Sequence, residues 1–469
     1  YSEEQLNVPE GVNLTSTSQD ADLVAIKPVS NCQFFIIYFS QPYNQNPPNG
    51  NQFISHLTIN GDNKIHGGAI EIIHRSNIHI HHNNIENITG NGSNYWSAIV
   101  AESRSDYIGG SSQYPRYEWW HYWPEDAGDL GNDSAIESKW LPYPITNIEI
   151  NNNNITNCGR VDTSSGWPAG GIYMFNAKDG SIHHNIIDNR MNNGQCIYST
   201  SAHWKNVDVY DNEFYMSNLS KVRSAYSFEV WLLRNCKFYN NLVNAGFSIA
   251  YGKEVEVYDN QIIIPDERNG SGIEFNGMTH SNVHHNWLEW KTIFRNDGYA
   301  IPLGTNKGRV HDTEVHSNVL INPPGHGIGI YSMTRHSPIV ENMKICNNVV
   351  ENTQRYHAYS MLARANETGA NPTIRNNLFA NNIAIGDMTN NGYGGMSYRQ
   401  GGTITNNIIT NMMYYDNDHN FWGGESEINA YIYDPMFVDP GNGDYHLQSN
   451  SPAIDSGVDV GLPYYGSAP

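Results

Sequence analysis

The chain has 469 residues, only 16% of them charged, and its 47 acidic against 26 basic side chains leave a formal charge of -21. Such a field opposes any partner held mainly by phosphate contacts, so nucleic acid is not expected. It also disfavours a densely anionic substrate unless a local cluster of Lys and Arg or a bound cation overrides it. No stretch approaches the roughly 18 consecutive apolar residues of a membrane span, and the abundance of Gly and Asn suits tight turns better than long helices.

The chain opens at Tyr1 without a leader, which reads as a mature form whose export signal has been removed; a secreted or cell-surface location is the expectation. Residues 1–65 carry weakly patterned strands and read as N-terminal capping coils. From there to residue 420 an apolar-x-x-Asn-x-apolar phrase recurs, as in Ile80 to Ile85, Ile150 to Ile155, Ile182 to Ile187 and Val209 to Phe214. Its Asn continues through Asn241, Asn260, Asn286, Asn318, Asn348, Asn377 and Asn407 at the spacing of a solenoid coil. Alternation such as Ile78-x-Ile80 or Val255-x-Val257 makes short strands that bury one face, which only stacking can cover. The predicted fold is all-β, a right-handed parallel β-helix of about ten or more coils in a single domain, with an Asn at each turn bonding to the Asn of the next coil.

Such Asn ladders resemble those of the pectate-lyase-like β-helix superfamily. A second resemblance lies in the capping segment 421–469. There Asp434-Pro-Met-Phe-Val-Asp439-Pro, Gly443-Asp-Tyr-His-Leu and Ser451-Pro-Ala-Ile-Asp455-Ser-Gly are similar to the terminal segment of many exported bacterial β-helix proteins, carbohydrate-active ones among them. The resemblance implies a glycoside hydrolase or polysaccharide lyase.

Preceding each ladder Asn is another strand, aligned as Gly68 to Glu71, Gly171 to Tyr173, Gln195 to Tyr198, Ser227 to Glu229, Ser248 to Ala250, Gly272 to Glu274 and Gly329 to Tyr331. In that alignment Glu71, Tyr173, Tyr198, Glu229, Ala250, Glu274 and Tyr331 form an exposed column. An insertion over 103–147, rich in aromatics including Trp119, Trp120 and Trp123, is expected to overhang it.

Polysaccharide cleavage needs sugar-stacking aromatics and either two carboxylates or a base with a cation. With Ala250 between them, Glu229 and Glu274 would sit two coils apart, with backbones about 10 Å from each other, a separation compatible with inversion through a water. They are the predicted catalytic pair, and Glu71 with Glu102 is a weaker second pair. Tyr173, Tyr198, His203, Trp231, Asn276, Tyr331, Trp119, Trp120 and Trp123 are the predicted substrate contacts. The paired histidines His81-His82, His183-His184 and His284-His285 share the phase of the Asn ladder, so stacking at turns explains them and no metal site is expected. The five cysteines lack C-x-x-C spacing and read as small core residues.

No cofactor is expected, with a structural calcium ion as an option at sites such as Asp416-Asn-Asp418. The substrate is read as a polysaccharide or oligosaccharide, algal or plant-wall and sulfated or not. Oligomeric state is not legible. The alternatives are a lyase acting by β-elimination on a uronic-acid glycan, with Tyr198 and His203, Lys253 or Arg335 as candidate bases or counter-ions, and a non-catalytic glycan-binding adhesin.

Overall fold

The computed structural model describes residues 6–18, 20, 24–28, 35–40, 49–62, 64, 67–90, 97–103, 144–160, 170–190, 194–199, 203–216, 226–265, 271–292, 298–305, 309–333, 338–364, 371–386, 394–417, 421–422 and 429–462. They belong to two compact units, one within 6–265 and one within 271–462. Both are parallel β-solenoids, and the 3-10 turn Pro440–Asn442 is the helical element among the described residues. No helix there is long and apolar enough to cross a membrane.

In the first unit each coil contributes a strand to a long parallel sheet, beginning with Phe35–Ser40, Gly68–Ile73, Ile99–Glu102, Ile172–Phe175 and Ile197–Ser199. The series ends on two longer strands, Tyr226–Tyr239 and Gly246–Tyr258, which run on through the next corner of the coil. Inward positions are apolar and sealed: Ile70, Ile99, Ile172 and Ile197 are all 0% exposed. Each such side chain contributes about 1.5–3 kcal/mol only because the coils above and below cover it.

Side-chain amides tie the coils together. Asn83 donates to Asn153 Oδ1 at 3.0 Å, Asn153 to Asn185 at 3.0 Å, Asn185 to Asn212 at 3.0 Å, Asn212 to Asn241 at 2.9 Å and Asn241 to Asn260 at 2.9 Å. The corner just before these Asn needs left-handed backbone, supplied by His82, Asn152, His184, Asp211, Asn240 and Asp259 at φ between 51° and 55°. Asn, Asp and His are the non-glycine residues that best tolerate it. The second histidine of a His-His step is therefore a corner residue, and the first lies on the flat strand, where His183 stacks on Tyr210 at 4.7 Å.

The second unit repeats the design with Ile273–Thr279, Tyr299–Thr305, His326–Met333, His357–Arg364 and Gly394–Gly401 in its long sheet. Its ladder corrects the sequence phase at one point. Asn286, Asn318 and Asn348 bond in series, but Asn348 then donates to Asn382 at 3.0 Å, not to Asn377. Asn377 starts a second ladder, donating to Asn407 at 2.9 Å and accepting from the Met343 backbone. Asn377 and Asn382 stand at two corners of one coil, so identical chemistry at both makes the phase ambiguous in sequence.

Cys158, Cys196, Cys236 and Cys346 are buried free thiols, as expected of small core residues. Near the end the parallel pattern gives way to an antiparallel pair, Phe437–Asp439 with Asp444–Leu447. Tyr445 of that pair packs edge-on against Trp287 at 5.7 Å and donates to Glu351.

Candidate functional site

The register of the first unit sets the outward column as Glu71, Val100 and Tyr173 on paired strands, then Tyr198, Glu229 and Ser248. Ile172 pairs with Ile197, which puts Tyr173 level with Tyr198. Two sequence expectations are corrected here. Ser248, not Ala250, is the partner of Glu229, and Ala250 pairs with Trp231. In the second unit Tyr331 is level with Gly304 and so with Asn276, whereas Glu274 precedes Asn276 by two residues. Both slips are of two residues, the one error that a period-2 pattern cannot detect.

The column is also not exposed. Glu71 is 5% exposed, Val100 1%, Tyr173 8%, Tyr198 8% and Ser248 1%, while Glu102, level with Phe175, is 0%. Val100, Tyr173 and Tyr198 form an apolar cluster flanked by Phe175, with the two tyrosine rings 6.4 Å apart. Rings packed this way spend their faces on one another.

Glu229 is the exception in the column, half-buried with access to solvent. Its Oε2 accepts a hydrogen bond from Gln195 Nε2 at 2.9 Å. Two residues on, Trp231 leans over the same face, its Nε1 3.4 Å from Ser248 Oγ and its ring edge-on to Tyr251 at 5.9 Å. Carboxylate, orienting amide and half-buried indole thus occupy neighbouring rungs. Gln195 is not singled out by the sequence pattern, where it only opens a rung; the signal would have been an amide three residues before Tyr198 and one coil from Glu229.

Glu274, in the second unit, is half-buried and accepts from Asn276 Nδ2 at 2.7 Å, so the two predicted neighbours do meet. Tyr331 is 7% exposed and stacks on Tyr299 at 5.9 Å. His203 is 9% exposed, and burial, aided by the charge of Arg234, lowers it to about 3, which keeps the imidazole neutral. Trp119, Trp120 and Trp123, with most of 103–147, lie outside the described residues.

Tyr210, Tyr239 and Tyr258 extend the stack that begins at His183, with centroids 4.9 Å apart at each step and rings within 4° of parallel. Each ring face is covered by the next, so the ladder offers edges and hydroxyls to solvent, not sugar platforms. Among the described residues one trio has the spacing of a cation site: Asp312 Oδ2 lies 2.6 Å from His311 Nδ1 and 3.8 Å from His280 Nδ1. Asp312 also accepts from Asn342 at 3.1 Å, and the αL residues His280, Asp312 and Asn342 are corner residues of the second unit.

No family model matches the chain, and no curated protein matches it. Solved structures are similar at low identity. The surface adhesin PfbA of Streptococcus pneumoniae is 12% identical over 80% of this chain and 82% of its own, with a TM-score of 0.45. The tailspike protein of E. coli bacteriophage HK620 is 14% identical over 58% of this chain, with a TM-score of 0.43, and the match spans half of its length. The A-module of the Azotobacter vinelandii mannuronan C-5 epimerase AlgE6 is 10% identical over 92% of this chain and 90% of its own, with a TM-score of 0.36. Likeness at this level carries no argument about activity, which rests on the side chains alone.

Proposed function

We propose that the protein is an extracellular glycoside hydrolase that cleaves a polysaccharide bound along the outer face of its first unit, with Glu229 as acid or base. The observation that carries this reading is that Glu229 keeps access to solvent on a column whose neighbours are buried, and is oriented there by Gln195. A carboxylate fixed by an amide beside a half-buried indole suits proton transfer to or from a glycosidic oxygen, with the indole available to stack on a sugar. Glu274, which accepts from Asn276, is the predicted carboxylate of the second unit, and Glu274→Gln assayed on the same substrate tests its part.

The test is incubation with neutral, uronic and sulfated algal and plant polysaccharides, following reducing ends together with the ultraviolet absorbance of unsaturated products. Reducing ends without absorbance support hydrolysis. Absorbance would establish β-elimination and overturn it, and glycan binding with neither signal would leave an adhesin.

A further inference from the structure

One corner of the second unit gathers side chains that suit a metal ion. His280, His311 and Asp312 each offer a ligand atom, and the three atoms lie within 4.8 Å of one another. Strand Asn282–His284 pairs in register with Glu314–His316, so His280 and Asp312 stand level on successive coils. The His280 backbone N–H donates to the His311 carbonyl at 3.2 Å, which fixes the two coils against each other at this point. The trio is not one of the His-His steps: His280 comes from one coil, and His311 with Asp312 from the next.

The corner ladder alone does not call for this arrangement. Left-handed corner residues elsewhere bond in series, each amide donating to the residue one coil before, as Asn206 does to Asp179 at 2.6 Å and Asn235 to Asn206 at 2.9 Å. Asn342 follows that rule and donates to Asp312 Oδ1 at 3.1 Å. Asp312 breaks it. An ionised carboxylate has no proton to pass to His280, and the 3.8 Å between Asp312 Oδ2 and His280 Nδ1 is too long for a hydrogen bond. His311 then brings its Nδ1 to 2.6 Å from the same Oδ2. At another corner His184 and Asp211 approach to 3.5 Å, but Tyr210 stands where His311 does and offers no imidazole.

The distances and the ligand types both fit a zinc-sized ion. Tetrahedral ligands about 2.1 Å from such an ion stand roughly 3.4 Å apart, and the observed 2.6 and 3.8 Å lie on either side of that spacing. His311 is buried and His280 exposed, so the ring that has to close the gap is the one with room to turn. Asn342, by holding Oδ1, orients Oδ2 from the outer shell, as metal carboxylates require. Glu341, level with His311 on the next coil, is held by Arg309 and Arg375. Two imidazoles and one carboxylate leave a position for water and select zinc-type ions over calcium or magnesium. The formal charge of -21 adds a mean field that attracts any cation.

We propose that His280, His311 and Asp312 bind one zinc-type divalent cation, which clips two successive coils of the second unit together. The site involves none of the residues of the glycan reading and stands or falls without it.

The test is calorimetric titration of the full chain, first stripped with EDTA and then freed of it, with zinc, calcium and magnesium ions, alongside thermal unfolding with and without zinc. The expected result is a tightest zinc site of one ion per chain, weaker or absent binding of calcium and magnesium, and a thermal midpoint that rises with zinc. His280→Asn and Asp312→Asn keep side chains that tolerate left-handed backbone, so the corner itself is preserved. Each of these, and His311→Gln, should weaken zinc at least about tenfold and remove the rise in midpoint, against less than about twofold for His184→Asn with Asp211→Asn. Cobalt(II) should give the visible absorption of a low-coordinate ion in the unsubstituted chain and lose it in Asp312→Asn. Absence of zinc binding, or calcium or magnesium bound as tightly as zinc, would overturn the site. So would zinc affinity unchanged in the three variants or an equal loss in the His184 and Asp211 control, either of which would mean adventitious zinc on surface imidazoles and only an ion pair between His280 and Asp312.

Discussion

Gln195 Nε2 donates to Glu229 Oε2 at 2.9 Å from one coil to the next, in a column where Tyr198 and Ser248 flank Glu229 on either side and are both buried. The amide fixes which way the carboxylate points, so Gln195 is a positioning residue. Gln195→Leu should lower kcat by about tenfold or more with little change in KM, because orientation and not sugar contact is lost. Gln195→Glu should not restore it, since it places a second carboxylate where a donor stood. Steady-state kinetics on the substrate found by the polysaccharide screen check both.

The Asn ladder predicts a stability effect independent of function. Asn212 accepts from the Asn185 amide and backbone, and donates to Asn241 and to the Ile182 and Tyr210 carbonyls. Asn212→Ala strands several buried polar groups and should cost at least about 3 kcal/mol in denaturant unfolding.

Three histidines set the acid limit. Burial, with the charge of Arg234, lowers His203 to about 3; burial, with His285 and Lys344, lowers His316 to about 4; burial, with His79, His82 and His56, lowers His81 to about 4. Each folded value lies below that of the unfolded chain, so the unfolded chain binds more protons as pH falls through about 6.5, and stability drops. At pH 5 the loss from His203 alone approaches about 2 kcal/mol. Thermal midpoints should fall steadily from pH 7 to pH 4.5, and His203→Gln should flatten that slope.

Tyr239 is sandwiched between Tyr210 and Tyr258, each 4.9 Å away. Tyr239→Ala should destabilise the first unit by about 1–2 kcal/mol and leave glycan affinity unchanged, because its faces are not offered to ligand. A fall in affinity without a fall in stability would make the stack a binding surface.

The sequence carries the solenoid plainly because each coil must turn with a left-handed residue and satisfy a buried amide, demands that Asn, Asp and His meet again and again. The His-His steps were legible for the same reason. The rung register was not: strands such as Tyr226–Tyr239 and Gly246–Tyr258 alternate in and out, and a two-residue slip preserves that alternation while replacing Ser248 with Ala250 beside Glu229. Burial of Glu71, Glu102, Tyr173 and Tyr198 was hidden too, since what covers an outward face is not written in the strand itself.

The most direct test of the account is the turnover of Glu229→Gln, measured beside its affinity for the same glycan. The substitution keeps the shape and removes the ionisable group. The account predicts that kcat falls by at least about a hundredfold while affinity stays within a few-fold. Turnover equal to that of the unsubstituted protein would contradict it.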